Sequence, residues 1–473
     1  MENSGARSRG LPYVGMFSFD RPVLLLRDLI KNLLLKDFSY FPDKGFTGSK
    51  NDPLFGEALF SLKGQYWKDV RAKLSPAFSS GKMKRMFLLV EEQAAQLDHY
   101  FDDAADTGNP VNIKDVLAKF TTDVVSSVGF GIKTNALINP DDDFRRFLSK
   151  TFLYSPLGAI KVLAMFAGVP FLRLINATVL GTEISNFMRD VIWKTVQYRK
   201  ETGHKREDFL DLLIQLKDKG NVQEEENKPD EVPDMSYHST NFFLSELCSE
   251  NICLGNVFTA LEGDTFVSQA FIFLAAGFET SSSTMSFCLY HLALESDIQQ
   301  RVREDILEAV KKNDGQINYQ VVHDLPYLDM VLAETLRLYP IMPFLDRTCV
   351  KPYQVPGTNL VLDKDVMVYI SLMGIHKDPE IYPDPEKFNP ENFSEQNKQK
   401  RHKFAHLPFG EGPRVCIGMR FGLMQAKVGL AHILLNYEVK PCSKTPASIK
   451  FDPHTFLLTS EGDIPLCFNR IQY

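Results

Sequence analysis

The sequence predicts a mainly α-helical protein with a minor β region, and three observations support this class. Apolar residues recur at helical spacing along most of the chain, which is typical of amphipathic or buried helices. The segment from Gly263 to Leu294 contains no proline, and it predicts one helix ~45 Å long that could cross the whole molecule. Short strands are predicted over 351–371, before a proline-rich meander at 379–393, and they are a minor part of the chain.

The other elements follow from the same patterns in chain order. A strand and a short helix are predicted over 22–35, followed by a helix over 65–74. Ser75 ends that helix because it precedes Pro76, and a residue before proline disfavours the helical conformation. Further helices are predicted over 85–105, 112–130, 143–155, 182–219, 298–311, 327–339 and 417–436.

Length and composition bound the domain organisation. At 473 residues the length alone suggests two or three domains, but we expect the single core of a large helical enzyme, so 1–473 is interpreted as one domain. Residues 222–234 are acidic and poor in large apolar side chains, and they predict a surface linker within an atypical insertion over 222–261. No segment reaches the ~20 apolar residues of a membrane-spanning helix.

Charge and cysteine content exclude some classes of function. The net charge of −7 argues against nucleic acid as the main partner. The seven cysteines are scattered, without C-x-x-C pairs or zinc-site spacing. We therefore expect free thiols in a reducing compartment.

A loop near the C-terminus carries the strongest chemical pattern. Residues 409–418 read F-G-E-G-P-R-V-C-I-G, so Cys416 lies among glycines and a proline, two residues after Arg414. A thiolate that ligates iron needs backbone N–H groups aimed at its sulfur, and glycine lets the backbone approach a flat cofactor closely. A buried structural cysteine would not need these flanking residues. The loop therefore indicates an iron ligand, with Arg414 suited to a carboxylate.

This loop resembles the haem-ligand signature of the cytochromes P450, F-x-x-G-x-R-x-C-x-G, at every fixed position. The resemblance covers the chain from about residue 15 to its end, and within the family it favours the microsomal insect enzymes that metabolise xenobiotics. It implies the P450 fold, in which a long central helix crosses over haem b and the cysteine loop lies on the opposite face. It also implies Cys416 as the metal ligand and places Phe409, Gly410 and Gly418 at the cofactor.

The middle of the long helix holds a second pattern, A-G-F-E-T at 276–280. The helix could widen at the interior glycine, so that a hydroxyl faces a ligand instead of its own backbone; a helix with a polar Ser/Thr face is the alternative. The pattern resembles the family's oxygen-binding motif [AG]-G-x-[DE]-T. The resemblance implies that Ala276 and Gly277 border the cofactor, that Thr280 holds dioxygen and its proton, and that Glu279 connects this point to a relay of waters.

Glu334 and Arg337 are three residues apart and share a helix face. By itself this spacing is typical of a surface ion pair, but the pair resembles the family's E-x-x-R, a buried structural pair. The family's third partner is an arginine in P-E-R-F, and here Asn392 occupies that position. Asparagine offers an amide donor without charge. We therefore expect a buried acid short of a partner and a less firmly held haem loop.

Further cations are assigned to the haem propionates by the resemblance. Trp67 and Arg71 form a W-x-x-x-R pattern whose side chains lie one above the other on a helix, a weak motif in isolation. The resemblance implies that both reach the propionates, together with Arg347 and Arg414. Three arginines for two carboxylates is a sensible donor set.

A basic run over 63–85 contains seven Lys or Arg side chains and one acid, Asp69. It is either a solvated face or, by resemblance, the surface on which an acidic electron donor docks. We predict that Lys68, Lys73 and Lys82 steer NADPH–cytochrome P450 reductase, with cytochrome b5 as a second candidate partner.

The resemblance implies a haem-thiolate monooxygenase that inserts one oxygen atom from O2 into a small apolar substrate, a xenobiotic or a lipid-like compound, using NADPH-derived electrons. The substrate pocket should be apolar, and each candidate also has an interpretation as plain core. The candidates are Phe271, Phe273, Ile341, Met342, Phe344, Leu457 and Leu458.

Two competing functions remain open from the sequence. One is a P450-type peroxide isomerase or dehydratase, which would not need Glu279 and Thr280. The other is a vestigial or non-catalytic haem-binding protein. The resemblance also implies the cytosolic face of the endoplasmic reticulum membrane, although no N-terminal anchor is visible in this chain, and residues 157–175 are expected to contact the membrane surface.

Overall fold

A computed structural model of the protein describes residues 23–24, 27–45, 51–139, 142–152, 154, 158–159, 162, 178–219 and 261–471. Over these ranges the fold is mainly α-helical with small β-sheets, which confirms the predicted class. The helices are α1 (Arg27–Lys31), α2 (Pro53–Gly56), α3 (Gly64–Leu74), α4 (Ser80–Thr107), α5 (Ile113–Phe130), α6 (Asp143–Phe152), α7 (Thr182–Thr202), α8 (Phe209–Lys219), α9 (Gly263–Leu294), α10 (Ser296–Lys312), α11 (Tyr319–His323), α12 (Pro326–Leu338), α13 (Leu372–His376), α14 (Glu395–Lys400) and α15 (Met419–Asn436).

The strands form small sheets at the edges of the helical body. They are β1 (Val23–Leu24), β2 (Val111–Asn112), β3 (Phe344–Thr348), β4 (Tyr353–Gln354), β5 (Val361–Leu362), β6 (Met367–Ser371), β7 (Tyr437–Pro441) and β8 (Pro465–Arg470). In one sheet β6 lies between β1 and β3, in another β8 lies between β2 and β7, and β4 pairs with β5. The β3–β6 pairing places Arg347 opposite Val368, which fixes one cation of the site described below.

The long helix α9 has the predicted bounds, Gly263–Leu294. The segment predicted over 182–219 is two helices, α7 and α8, and the helix predicted over 85–105 begins earlier, at Ser80. The C-terminal hairpin of β7 and β8 and the early strand β3 were not predicted, because short paired strands carry too few residues for a period to show.

Helix α9 lies at the centre of the helical body and packs against α5 and α15. Its residues are buried on nearly all sides, as expected for a helix that is apolar around its whole circumference. Helix α4 packs against both α15 and α5. The long helix and the cysteine loop that precedes α15 are thereby held on opposite walls of one internal space.

Among the described residues, no helix combines the length and apolar character that crossing a bilayer requires. The predicted insertion at 222–261 lies outside the described residues except for its last residue. Most of the expected membrane-contact segment at 157–175 also lies outside them.

Candidate active site

A cavity of about 350 Å³ lies between α9 and the cysteine loop. Cys416 and its flanking residues form one wall, and Ala276, Gly277 and Thr280 form the opposite wall. Cys416 is therefore accessible to a small molecule, but from inside the protein. The structure brings together residues that are far apart in the sequence and that the sequence assigned to a single site.

The cysteine loop is held by backbone hydrogen bonds and by glycines that no other residue could replace. The Cys416 N–H donates to the Phe409 carbonyl at 2.9 Å, which closes the loop on itself. Gly412 has a φ of 74°, and a Cβ at this position would lie 2.1 Å from the Leu34 carbonyl oxygen. The loop conformation thus requires glycine for its backbone angle and for its close packing.

The sulfur of Cys416 receives a hydrogen bond from the Gly418 N–H. Burial raises the pKa of the thiol, while that hydrogen bond and the nearby positive charges of Arg71 and Lys44 act in the opposite direction. Backbone N–H groups and cations stabilise a thiolate. The surroundings of the sulfur are therefore those of an anionic ligand that needs a metal to complete its stabilisation.

One end of the cavity is lined by four cations, Lys44, Arg71, Arg347 and Arg414. Burial lowers the pKa of Lys44 to about 7, of Arg71 and Arg347 to about 10, and of Arg414 to about 9. Arg347 further lowers the pKa of Arg414 by charge repulsion. The lowered pKa values of all four groups mean that the protein places too little negative charge beside the cations it buries.

Two of these arginines have donors that no described residue accepts. Arg414 Nε donates to the Pro42 carbonyl at 2.8 Å, and its guanidinium lies 3.8 Å from the Trp67 ring centroid. Its Nη1, however, is buried without a partner among the described residues. Arg347 Nη1 donates to the Asp346 carbonyl at 2.8 Å, and its Nε is likewise unpartnered within the described chain. Buried donors are almost always paired, so the two arginines lack an acceptor.

A group with a flat apolar body, two carboxylates and a metal fits this site, and haem is such a group. Its carboxylates would take the unpartnered arginine donors, and its iron would take the Cys416 sulfur. The small residues Ala276 and Gly277 leave space for a flat ring against α9. Lys44, which the sequence analysis missed, lies at the same cationic end, with its Nζ 3.4 Å from the Phe60 ring centroid.

The α9 wall differs from the sequence prediction in one respect. The helix is α-helical through 276–281, and the Thr280 hydroxyl donates to the Ala276 carbonyl at 2.6 Å. The prediction that the helix widens and frees this hydroxyl from its own backbone is therefore wrong. A backbone carbonyl four residues earlier is within reach of any helical threonine. Thr280 still lines the cavity, and its hydroxyl oxygen keeps lone pairs as acceptors.

Gly277 allows α9 to approach its neighbour. A Cβ at this position would lie 2.9 Å from Val125 Cγ1 on α5. Glycine in the middle of the helix therefore has a packing function as well as a place on the cavity wall.

Glu279 does not line the cavity with Thr280. Its Oε1 accepts a hydrogen bond from Ser283 Oγ at 3.5 Å, on a different side of α9. Burial raises the pKa of its carboxyl, and the charge of Lys114 and the bond from Ser283 lower it by less. The structure thus separates the two polar residues of the motif: Thr280 lines the cavity, and Glu279 does not.

The Glu334–Arg337 pair is fully buried, unlike the surface pair that its spacing alone would suggest. Arg337 Nε and Nη2 donate to the two carboxylate oxygens at 2.7 and 2.8 Å. Asn389 N–H adds a hydrogen bond at 2.7 Å, and the Asn392 amide donates to both oxygens at 3.2 and 3.3 Å. The prediction that Asn392 leaves the acid short of a partner is therefore wrong.

Six of the seven predicted substrate residues line the cavity: Phe271, Phe273, Ile341, Met342, Phe344 and Leu457. Leu458 does not, and its N–H instead donates to the Ile341 carbonyl at 2.8 Å. The sequence analysis missed further apolar residues of the wall, namely Phe55, Leu59, Phe60, Phe152, Tyr154, Leu180, Phe209 and Phe456. Only Phe456, next to Leu457, had a local pattern that could have identified it.

The fold and the site together define a mainly α-helical haem-thiolate protein. The sequence matches the family model described as Cytochrome P450 over residues 12–242 and 233–468. It is 41% identical to cytochrome P450 6k1 of Blattella germanica, over 97% of this chain and 84% of that protein. It is 39% identical to the probable cytochrome P450 6a14 of Drosophila melanogaster, over 97% of this chain and 87% of the relative.

A third relative, cytochrome P450 9e2 of Blattella germanica, is 36% identical over 98% of this chain and 86% of its own length. The chain belongs to the cytochrome P450 family. It is a monooxygenase whose cofactor is haem, with a cysteine thiolate as the iron ligand, and the family draws its electrons from NADPH through a reductase.

Proposed function

We propose that this protein oxidises small apolar compounds, xenobiotic or lipid-like, with one oxygen atom from O2 and electrons from NADPH. The cavity between Cys416 and Thr280 carries this proposal, because most of its lining away from the cationic end is apolar. Such a lining selects substrates by the burial of apolar surface. The similarity of this chain to the insect cytochromes P450 6k1 and 9e2 supports a xenobiotic substrate.

Cys416 would hold the iron, and Arg71, Arg347, Arg414 and Trp67 would hold the propionate end. When bound, haem supplies the activation of O2 and the transfer of one oxygen atom. The protein supplies the thiolate, the cations and an apolar enclosure that excludes water. Phe409, Gly410 and Gly418 keep the thiolate loop in a fixed shape.

Thr280 would hold a proton at its hydroxyl oxygen on the cavity wall. Its own hydrogen is engaged by the Ala276 carbonyl, so the lone pairs are available to accept a hydrogen bond from a bound molecule. Glu279 would supply protons from behind the helix, since its raised pKa keeps part of its population protonated nearer neutral pH than an ordinary carboxyl.

The partner would be NADPH–cytochrome P450 reductase, with cytochrome b5 as a second candidate. Arg420 on α15 donates to Ser80 Oγ at 2.9 Å, so the start of α4 lies beside the helix that follows Cys416. Lys82 is two residues after Ser80 on α4, and Lys68 and Lys73 lie on α3. Not all of the basic run is available, because Arg71 faces the cavity and Arg85 pairs with Glu207 at 3.1 Å.

We also assign this chain to the cytosolic face of the endoplasmic reticulum membrane, by analogy with its family. We treat 1–473 as a single haem domain, in which 222–261 is an inserted linker. Both statements can be checked by fractionation and by limited proteolysis of the expressed protein.

The first test is a carbon-monoxide difference spectrum of the dithionite-reduced protein, followed by turnover with and without NADPH and reductase. A strongly red-shifted Soret band together with NADPH-dependent oxidation supports the proposal. Rearrangement of an organic hydroperoxide without NADPH would point to an isomerase or dehydratase. A normal spectrum without turnover on a broad apolar panel would favour a non-catalytic haem protein.

The reductase surface has its own test. Reversing Lys68, Lys73 and Lys82 to glutamate should slow transfer of the first electron by about tenfold at low ionic strength, and added salt should reduce the difference. Lys364→Glu, an exposed charge on the turn between β5 and β6, is the matched control. Equal rates for the triple variant and the control would remove this docking surface.

A further inference from the structure

Cys442 and Cys467 form a thiol pair outside the haem site. In the β7–β8 ladder Lys440 lies opposite Cys467, so Cys442, two residues further along, is on the same face of the hairpin. Each thiol shifts the pKa of the other, so the two side chains are neighbours. Both are free cysteines and both are half-buried, so a small reagent can reach them.

The two thiols have unequal surroundings. Burial acts to raise the pKa of Cys442, but hydrogen bonds from the Thr445 hydroxyl, two backbone N–H groups and the Cys467 thiol outweigh it, so the net pKa is lowered. Burial and the neighbouring charge of Cys442 raise the pKa of Cys467. Cys442 is therefore the more readily deprotonated thiol of the two, which suits it to attack, and Cys467 is suited to resolve the product.

We propose that Cys442 and Cys467 are a modification site that reacts with hydrogen peroxide and closes to a reversible disulfide. The Cys442 thiolate attacks one peroxide oxygen, the O–O bond breaks, and a sulfenic acid and water form after proton uptake. The Cys467 sulfur then displaces hydroxide from that sulfenic acid and loses its proton, so a second water leaves. Two thiols are oxidised by two electrons, and one peroxide is reduced to two waters.

A disulfide requires the two sulfurs to move into bonding contact, and the position of Cys442 favours such a movement. It is the first residue after β7, so its backbone lies outside the paired strand. Its N–H donates to Thr445 Oγ1 at 2.8 Å within a short turn, and a turn can adjust where a ladder cannot. In a reducing compartment such a disulfide is transient, as for other thiol switches.

The disulfide would close a ring over 442–467 that contains part of the cavity wall. Phe456 and Leu457 lie within the ring and line the cavity, and the Leu458 N–H ties it to the Ile341 carbonyl. Joining the base of the loop restricts the states it can reach. Peroxide would thereby stiffen one side of the substrate pocket without touching the haem ligand.

The test uses the full haem-loaded chain with Cys248→Ser and Cys253→Ser, which leaves only the cysteines at described positions. The protein is treated with a small excess of hydrogen peroxide, or with diamide to spare the haem, then alkylated, digested without reductant and analysed by mass spectrometry. We expect a linked peptide pair containing Cys442 and Cys467 as the main disulfide, lost on addition of dithiothreitol. Cys467→Ser should instead yield a Cys442 sulfenic acid that dimedone traps.

Internal controls make the outcome decisive. Cys288 is fully buried, with its pKa raised by burial to about 12, and Cys349 is also buried, so both should be alkylated at least about tenfold more slowly than Cys442. Cys349→Ser should leave the linked peptide unchanged. Oxidation of Cys442 without a link to Cys467, or equal reaction at Cys288, overturns the proposal.

The effect on the loop is read separately from turnover. Trypsin cleaves after Lys444 and Lys450, both exposed within the ring. Oxidation should slow these cuts by about threefold or more, and dithiothreitol should restore the original rate. Unchanged cleavage of a fully linked protein would overturn the claim that the disulfide constrains the pocket loop.

Discussion

Arg337 and Arg347 are both almost fully buried, but the protein treats their charges differently. All the donors of Arg337 that point into the protein have acceptors: Glu334, and the carbonyls of His376, Pro385 and Lys387 at 2.9, 2.7 and 3.1 Å. Arg347 donates to one carbonyl, and its Nε has no partner among the described residues. The hydrogen-bond donors of Arg337 are thus satisfied by the chain itself, whereas Arg347 has a donor whose hydrogen bond a bound anion could accept.

The difference separates a structural cation from a binding cation. A paired buried charge costs little while both partners remain, but removal of one partner leaves the other without compensation. A buried charge without a partner already destabilises the ligand-free protein, and a ligand with a carboxylate can offset that destabilisation. The same substitution at these two positions should therefore have opposite consequences.

Glu334→Gln should have the largest effect. It leaves Arg337 buried and charged without a compensating negative charge, and we expect a loss of about 3–5 kcal/mol in the free energy of unfolding. The loss should occur in haem-free and haem-loaded protein alike, because the pair does not line the cavity. Urea denaturation of both forms measures it.

The matched control for this variant is Glu391→Gln, which removes an exposed acid from an ion pair with Arg301 at 2.7 Å. Its effect should stay below about 1 kcal/mol, as for other surface pairs. Equal losses for the two variants would show that the buried pair has no special importance.

His432 on α15 is a further buried cation, and its protonation gives the comparison a test by pH. Burial acts to lower its pKa, but hydrogen bonds with Asp98 and Glu91 outweigh burial and raise the pKa to about 9. Its ring nitrogens lie 2.9 Å from Asp98 and 3.1 Å from Glu91. The pair of acids therefore holds a proton on this histidine in the folded protein.

The raised pKa sets the direction of the pH dependence. Below the unfolded value of about 6.5 the stabilisation is fully present, and it is lost as pH rises through about 9. We expect a loss on the order of 2–4 kcal/mol across this window by urea denaturation. His432→Gln should flatten the slope, and Asp98→Asn should reduce it. A wild-type slope in His432→Gln would assign the pH dependence to other groups.

Arg347→Leu tests the binding side of the comparison. The haem-free protein should keep or gain stability, because an uncompensated buried charge is removed. The haem-loaded protein should lose a charge-assisted hydrogen bond of about 1.5–3 kcal/mol, so haem transfer to a scavenger protein should be about 10–100-fold faster. Arg337→Leu is the matched control and should destabilise both forms. If Arg347→Leu behaved in the same way, the contrast between the two arginines would fail.

The sequence predicted the parts of this comparison that depend on local pattern. The bounds of α9, the cysteine loop and the Glu334–Arg337 spacing were readable because each lies within a single element. Lys44 and the aromatic residues around Phe209 were not, since the chain brings them to the cavity from distant segments. The prediction that the Thr280 hydroxyl is free of its own backbone was wrong because, in a helix, the carbonyl of Ala276 lies within hydrogen-bonding distance of it.

Asn392→Arg should have the smallest effect. It tests whether the hydrogen bonds to the Glu334 carboxylate are already sufficient without a second arginine. Glu334 accepts from Arg337, the Asn389 N–H and the Asn392 amide, so a further cation finds few free lone pairs. Arg401 is also close, with its Nη1 donating to the Asn392 carbonyl at 2.5 Å, and it would repel a new guanidinium.

We therefore expect Asn392→Arg to change the free energy of unfolding by less than about 1 kcal/mol, with haem retention altered no more than about threefold. Thermal unfolding and haem transfer measure both quantities, and Asn392→Ala serves as the control because it removes the amide without adding charge. A large gain on adding arginine would mean that the long hydrogen bonds at 3.2 and 3.3 Å leave the acid undersupplied. In that case the Glu334–Arg337 pair, like Arg347 at the cationic end of the cavity, would have hydrogen-bonding capacity that the chain leaves unused.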